Sequence, residues 1–176
     1  MTLVDRLVAP GASRGEIATS FGAAVVGAAL ALVLTVRADL PALAVLVVAL
    51  VGFDLFGGAV VNATASAKRW HHRPGRTRWH HLAFVAVHVQ PFLLALVVPG
   101  FSWLMAATSY GAALVAAVLV VFTPPPLRRP VAFALTALAL VAVTSLTTAP
   151  AALAWFAPLL LVKLLLAHLM PEEASR

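Results

Sequence analysis

An all-α fold, a polytopic transmembrane helical bundle of six spans, follows from three observations on this 176-residue chain. Hydrophobic residues make up 62% and charged residues 10% of it, with a mean hydropathy of +1.02, whereas a water-soluble globule carries about 25% charged residues. Apolar runs of roughly the 20 residues that cross a bilayer as a helix recur along the chain, separated by short polar or proline-rich breaks. The apolar/polar alternation of a membrane barrel is absent.

The spans are expected at about 17–36, 40–61, 80–98, 101–122, 131–148 and 150–170, all within one transmembrane domain over residues 1–176. The first run is too long for the 7 to 15 apolar residues of a signal peptide and is read as a retained span. Breaks fall where helix-stopping chemistry stands: Arg37 to Asp39 before Pro41, Pro99-Gly100, the prolines Pro124 to Pro126, and Pro150. Pro91 and Pro158 lie inside spans three and six and are expected to kink them without ending them. Small residues such as Gly22, Gly27, Gly57, Gly58 and Gly111 allow close helix approach in lipid.

Basic residues orient the bundle, because cytoplasmic loops carry the Lys and Arg excess. Arg6, Arg14, Lys68, Arg69, Arg73, Arg76, Arg78, Arg128, Arg129 and Arg176 fall on one side and Arg37 on the other. Both termini are therefore expected in the cytoplasm (N-in/C-in), in a multi-pass protein of a bacterial-type inner membrane. With no cysteine, disulfides, thiolate metal sites and Cys nucleophiles are excluded.

The longest connection, the basic cytoplasmic loop 62–79, leads into a repeat: Arg-Trp-His-His stands at Arg69 to His72 and again at Arg78 to His81. Lys68, Arg69, Arg73, Arg76 and Arg78 suit anionic lipid headgroups, and Trp70 and Trp79 suit the membrane interface. No aromatic platform or recognition fold accompanies the charge, so lipid phosphate is the expected partner and not nucleic acid. Gly75 after Pro74 makes a turn that brings the two Trp-His-His groups towards each other.

The four histidines His71, His72, His80 and His81 resemble the histidine boxes of membrane-bound desaturases and hydroxylases, whose clustered histidines hold two iron ions. That resemblance would imply a di-iron site. It departs from the family in spacing, which is HxxHH-like there, and in number, since this chain has six histidines in all.

Ionisable groups inside spans are costly and often mark function. Asp54, His88 and Lys163 are expected at a similar depth, about 10 to 12 Å from the basic end at 1.5 Å per residue. Asn62, His80, His81 and His168 form a layer nearer the headgroups. Within span three His81 and His88 share one face and Gln90 points roughly opposite to His88, and on span six Lys163 and His168 stand about 140° apart. Gly57 and Gly58 leave space beside Asp54. The structural reading is an Asp54–Lys163 ion pair, with His88 hydrogen-bonded nearby, that registers spans two, three and six.

The functional reading makes Asp54 and His88 catalytic, or makes Asp54, His81, His88 and His168 ligands of a divalent metal, with the basic loop and Lys163 holding the head of a lipid-like substrate. Ser66 and Ser109 are the hydroxyls to consider as nucleophiles, and neither has a local signature. The alternatives are a small proton-coupled transporter using Asp54 and His88, bis-histidine haem ligation by His88 and His168, and a structural subunit of an oligomer or larger membrane complex.

Overall fold

The computed structural model describes residues 5 and 7–171, so the basic residues Arg6 and Arg176 lie outside the described residues. The elements are α1 (Arg14–Arg37), α2 (Ala42–Ala63), α3 (Ala65–His71), α4 (Arg78–Ala86), α5 (Gln90–Val97), α6 (Trp103–Phe122) and α7 (Pro125–Leu146), then a 3-10 turn (Ala151–Leu153), α8 (Phe156–Leu161) and a π-helix (Val162–His168). No strand occurs among the described residues. Six helical runs are long and apolar enough to cross a membrane: Arg14–Arg37, Ala42–Ala63, Arg78–Val97, Trp103–Phe122, Pro125–Leu146 and Ala151–His168.

Three spans differ from expectation, each for a backbone reason. The third is interrupted: the helix stops at Ala86, residues 87–89 are non-helical, and Pro91 lies at the start of α5. A proline ring clashes with the preceding turn, but in a first turn its missing N–H costs nothing, so the chain breaks and restarts instead of kinking. The fifth starts at Pro125, well before the expected residue 131, since Pro124 is the N-cap and Pro125 and Pro126 occupy first-turn positions that tolerate proline. The sixth is a composite of 3-10 turn, α-helix and π-helix, with Pro158 in the first turn of α8.

The sixth span is the core. Over half of it, 56%, is buried against 22% of the first span, so the other spans gather around it. The π-helix packs on α2, α6 and α7, while α1 packs on α2 and the 3-10 turn.

Glycines set the α1–α2 approach. A Cβ on Gly57 would lie 2.7 Å from Ala24 Cβ and one on Gly52 2.9 Å from Ala31 Cβ, while one on Gly27 would overlap the Phe56 ring. Hydroxyls within the spans are satisfied locally: Thr35, Thr136, Thr144 and Thr147 donate to carbonyls of the preceding turn, which removes the cost of a bare hydroxyl in an apolar surround.

The start of α1 is fastened to α3. Ser13 and Glu16 form a capping box, and Glu16 Oε1 also accepts the Ser66 N–H at 3.0 Å.

Candidate functional site

Two polar clusters stand on the sixth span, one at each end of its π-helix. Hydrogen bonds in a π-helix close from i to i+5, so residues five apart stack nearly one above the other. Lys163 and His168 therefore face the same side, and the 140° separation expected for an α-helix does not hold.

The inner cluster centres on Lys163, which is 2% exposed. Its Nζ lies 2.7 Å from Asp54 Oδ2 and donates to the Asp54 carbonyl at 3.2 Å. Gly58 supplies the room, since a Cβ there would lie 2.5 Å from Lys163 Cε. Gln90 Nε2 donates to Asp54 Oδ2 at 3.1 Å. The expected opposition of Gln90 and His88 fails because the helix unwinds between them, which lets Gln90 reach Asp54. The cluster thus ties spans two, three and six together. His88 lies within electrostatic reach of Lys163 and Asp54, yet no hydrogen bond or ion pair joins it to Asp54 among the described residues, and its Nδ1 bonds to the Phe84 carbonyl at 2.6 Å. The half-exposed Asp54 carboxylate opens onto a cleft of about 210 Å³ that also touches Ser20, Phe21 and Phe53.

The outer cluster gathers four of the six histidines. The turn at Gly75, with φ +87°, folds the repeat back so that His72 and His81 stack at 4.6 Å between ring centroids, 26° apart in plane. The tryptophans do not meet. Trp70 lies under the Arg73 guanidinium at 3.5 Å, and Trp79 packs on Phe122 at 6.0 Å. His168 closes the cluster from the π-helix: its Nε2 is 3.3 Å from His81 Nδ1, its carbonyl is 3.0 Å from His72 Nε2, and its ring is stacked on Phe84 at 3.7 Å. His71 meets the edge of His168 at 5.0 Å. His80 stays apart, its Nδ1 accepting the Thr77 N–H at 3.2 Å as part of a helix cap.

Burial above all, then the charges of His72, Arg76 and Arg73, pushes His71 down to about 4. Burial likewise lowers His72, with Lys68 and Arg128 adding to the effect and the bond to the His168 carbonyl opposing it. Both imidazoles are neutral at pH 7.

The metal-ligand set expected from the sequence is divided. Asp54 belongs to the inner cluster, His88 is bonded to Phe84, and only His81 and His168 meet. Among the described residues no group of three or more His, Asp or Glu side chains is arranged to hold a metal ion. Stacked rings such as His72 and His81 present their nitrogens side by side, whereas a metal needs them convergent. Phe84 packs on both His88 and His168, an arrangement that lends nothing to haem ligation between them.

Beside the outer cluster runs a groove of about 770 Å³. Arg76, Arg78 and Arg128 line it together with His72 and His81, and Val120, Val121, Phe122 and Leu169 form its apolar wall. Arg128 Nε donates to the Thr123 carbonyl at 3.0 Å, which anchors the guanidinium and leaves both terminal nitrogens for a ligand. Arg78 lies over Phe122 at 4.7 Å.

Of the residues expected to hold a substrate head, Arg76 and Arg78 line this groove. Lys68 is engaged elsewhere, donating to the carbonyls of Ala167, at 2.7 Å, and Met170, and so clamping the end of the sixth span. Arg73 bonds to the Trp70 carbonyl, Arg69 is exposed on α3 outside the groove wall, and Lys163 belongs to the inner cluster. Ser66 bonds to Thr64 Oγ1 at 3.3 Å in the first turn of α3, Ser109 is buried with no hydrogen-bond partner among the described residues, and neither lines the groove. Arg128 is the charged groove residue that sequence reasoning left out of the site. The run of prolines ahead of two arginines at 124–129 was its visible trace.

No family model, curated protein or solved structure matches this chain, so geometry and chemistry alone decide between the classes of function.

Proposed function

We propose that this chain is an integral membrane protein that takes the anionic head of a lipid-like molecule into the groove between the α3–α4 turn and the α6–α7 turn, where His81 stands ready to hydrogen-bond it. The observation that carries the reading is the composition of that single groove: three arginines and two histidines opposite an apolar wall. Guanidinium groups bind phosphate and carboxylate bidentately. The apolar wall suits the first methylenes of a tail. His81 stands on the groove, and its Nδ1 is paired with Nε2 of the buried His168, which orients the ring and directs its own Nε2 away from that bond. The basic end then lies at the cytoplasmic leaflet of the inner membrane, in line with the positive-inside rule.

The inner cluster supports a different role. Asp54 is held by Lys163 and Gln90 while His88 bonds to the Phe84 carbonyl, which favours reading the cluster as a register for three spans over the Asp54–His88 pair of catalysis or proton-coupled transport.

The test is retention of anionic lipid by protein purified in neutral nanodiscs, compared between the native chain and the Arg76→Gln, Arg78→Gln, Arg128→Gln variant. Retention is expected to be lost in the variant. Equal retention by both would overturn the reading.

A second reading, a subunit of a larger membrane complex, is favoured by one observation: the Asp54 carboxylate is 48% exposed on the outer face of the bundle. A charged group facing hydrocarbon is costly, and a partner helix would cover it. Cross-linking from a cysteine placed at Phe53 discriminates, since an assembly subunit gives a defined adduct there.

A further inference from the structure

Arg128 belongs to two cavities at once. Besides the basic groove it lines a second cleft of about 690 Å³, whose walls are Phe133, Leu166, Met170 and the prolines Pro125, Pro126 and Pro130. The chemistry of the two differs sharply. The first collects guanidinium and imidazole groups. The second is mostly hydrocarbon, with Arg128 and Arg129 the charged residues among its lining.

The proline run accounts for the apolar character of the second cleft. A helix N-terminus ordinarily presents free amides that attract anions. Here Pro125 and Pro126 have no N–H, and the Leu127 N–H is already donated to the Pro124 carbonyl at 3.0 Å. The start of α7 therefore offers a ligand little backbone hydrogen bonding, and recognition of an anion falls to the arginine side chains. Arg128, anchored at Nε by Thr123, lines both cavities, as does Pro171.

We propose that the ligand is a phosphate-terminated amphiphile, its phosphate held in the groove by Arg76, Arg78 and Arg128 and its hydrocarbon chain passing Arg128 into the proline-walled cleft. The assignment rests on the groove reading above and adds to it the head, the chain and their connection. Three guanidinium groups match the two charges of a phosphate monoester better than the single charge of a carboxylate or a phosphodiester. A choline head would bring a second cation among the arginines and is disfavoured. Because Arg128 and Pro171 line both cavities, the two adjoin, and the phosphate joins the chain directly or through a short linker, without a sugar between.

The experiment compares probes on the full chain in neutral nanodiscs, by native mass spectrometry: hexadecyl phosphate, ethyl phosphate, hexadecanoate, hexadecylphosphocholine and inorganic phosphate. Arg128→Gln controls for partition into the bilayer. Hexadecyl phosphate is expected to bind at least about ten-fold tighter than each of the others, a difference of about 1.4 kcal/mol, with the advantage lost in Arg128→Gln. Leu166→Trp, which fills the cleft, is expected to weaken hexadecyl phosphate and leave ethyl phosphate unchanged. Phe133→Ala, at an exposed wall position, gives a second probe of the cleft should the tryptophan disturb folding.

Equal binding of ethyl and hexadecyl phosphate would remove the chain from the cleft and leave the groove intact. Hexadecanoate binding as tightly as hexadecyl phosphate would overturn the phosphate assignment alone. Failure of every anionic probe, or binding indifferent to Arg128, would overturn both the inference and the groove reading beneath it. Tight binding of inorganic phosphate alone would identify a soluble anion as the ligand and sink the amphiphile.

Discussion

The ammonium group of Lys163 on the sixth span sits 2.7 Å from the carboxylate of Asp54 on the second, in a space that Gly58 leaves free. Lys163 is almost fully buried and Asp54 is half exposed, so the two ends of the pair respond differently to mutation. Asp54→Leu strands a buried cation and is expected to cost about 3 kcal/mol. The double variant Asp54→Leu, Lys163→Leu removes both charges and should recover much of that loss. Thermal unfolding in detergent of the two single variants and the double variant checks it. A double variant no more stable than Asp54→Leu would show that the lysine is not held by the aspartate.

The glycines of α1 and α2 separate two kinds of close approach. A Cβ at Gly27 would overlap the root of the Phe56 side chain, which has nowhere to go, whereas one at Gly58 would meet the far end of the flexible Lys163 side chain. Gly27→Ala is therefore expected to destabilise by about 1 to 3 kcal/mol through overpacking. Gly58→Ala should cost less in packing while displacing the ammonium from Asp54, so its effect should shrink when Lys163 is already leucine. Melting temperatures of the single and combined variants decide both statements.

His71 gives stability a pH dependence of known sign. Its pKa falls from 6.5 to about 4 on folding, so below pH 6.5 the unfolded chain binds a proton that the folded one refuses. Stability from this group is fully present above pH 6.5 and is lost as pH falls through about 4. His72 is shifted in the same direction. The melting temperature should drop between pH 7 and pH 4.5, and a His71→Asn, His72→Asn variant should show a flatter profile. An unchanged slope in that variant would remove the cluster as the cause.

Arg76 and Arg78 are exposed residues of the groove rim, whereas Lys68 clamps the sixth span through the carbonyls of Ala167 and Met170. Charge removal should sort them cleanly. Arg76→Gln and Arg78→Gln are expected to reduce anionic-lipid binding several-fold at unchanged melting temperature. Lys68→Gln should instead lower the melting temperature, because two carbonyls at the end of the span lose their donor. Lipid binding and thermal melts on the same three preparations provide the comparison.

The spans could be read from the sequence because lipid leaves a helix little choice: every amide must be paired within its own segment, and long apolar runs show this directly. The meeting of His72 and His81 was legible too, since Pro74-Gly75 lies midway between the two halves of the repeat. What escaped depends on backbone register. The unwinding at 87–89 redirects Gln90 to Asp54. The early start of α7 converts a proline run read as a linker into the wall that presents Arg128. Distance along the chain hid the rest, for Arg128 meets Arg76 and Arg78 only after two further spans have been laid down.

The turn of π-helix at Val162–His168 places one extra residue between the deep ammonium and the shallow imidazole. Wound as an ordinary α-helix, the same seven residues would set Lys163 and His168 about 140° apart. The ring that steadies His81 would then turn away from the face that carries the ammonium. One bulged turn thus couples how the bundle is locked together to how its surface imidazole is aimed.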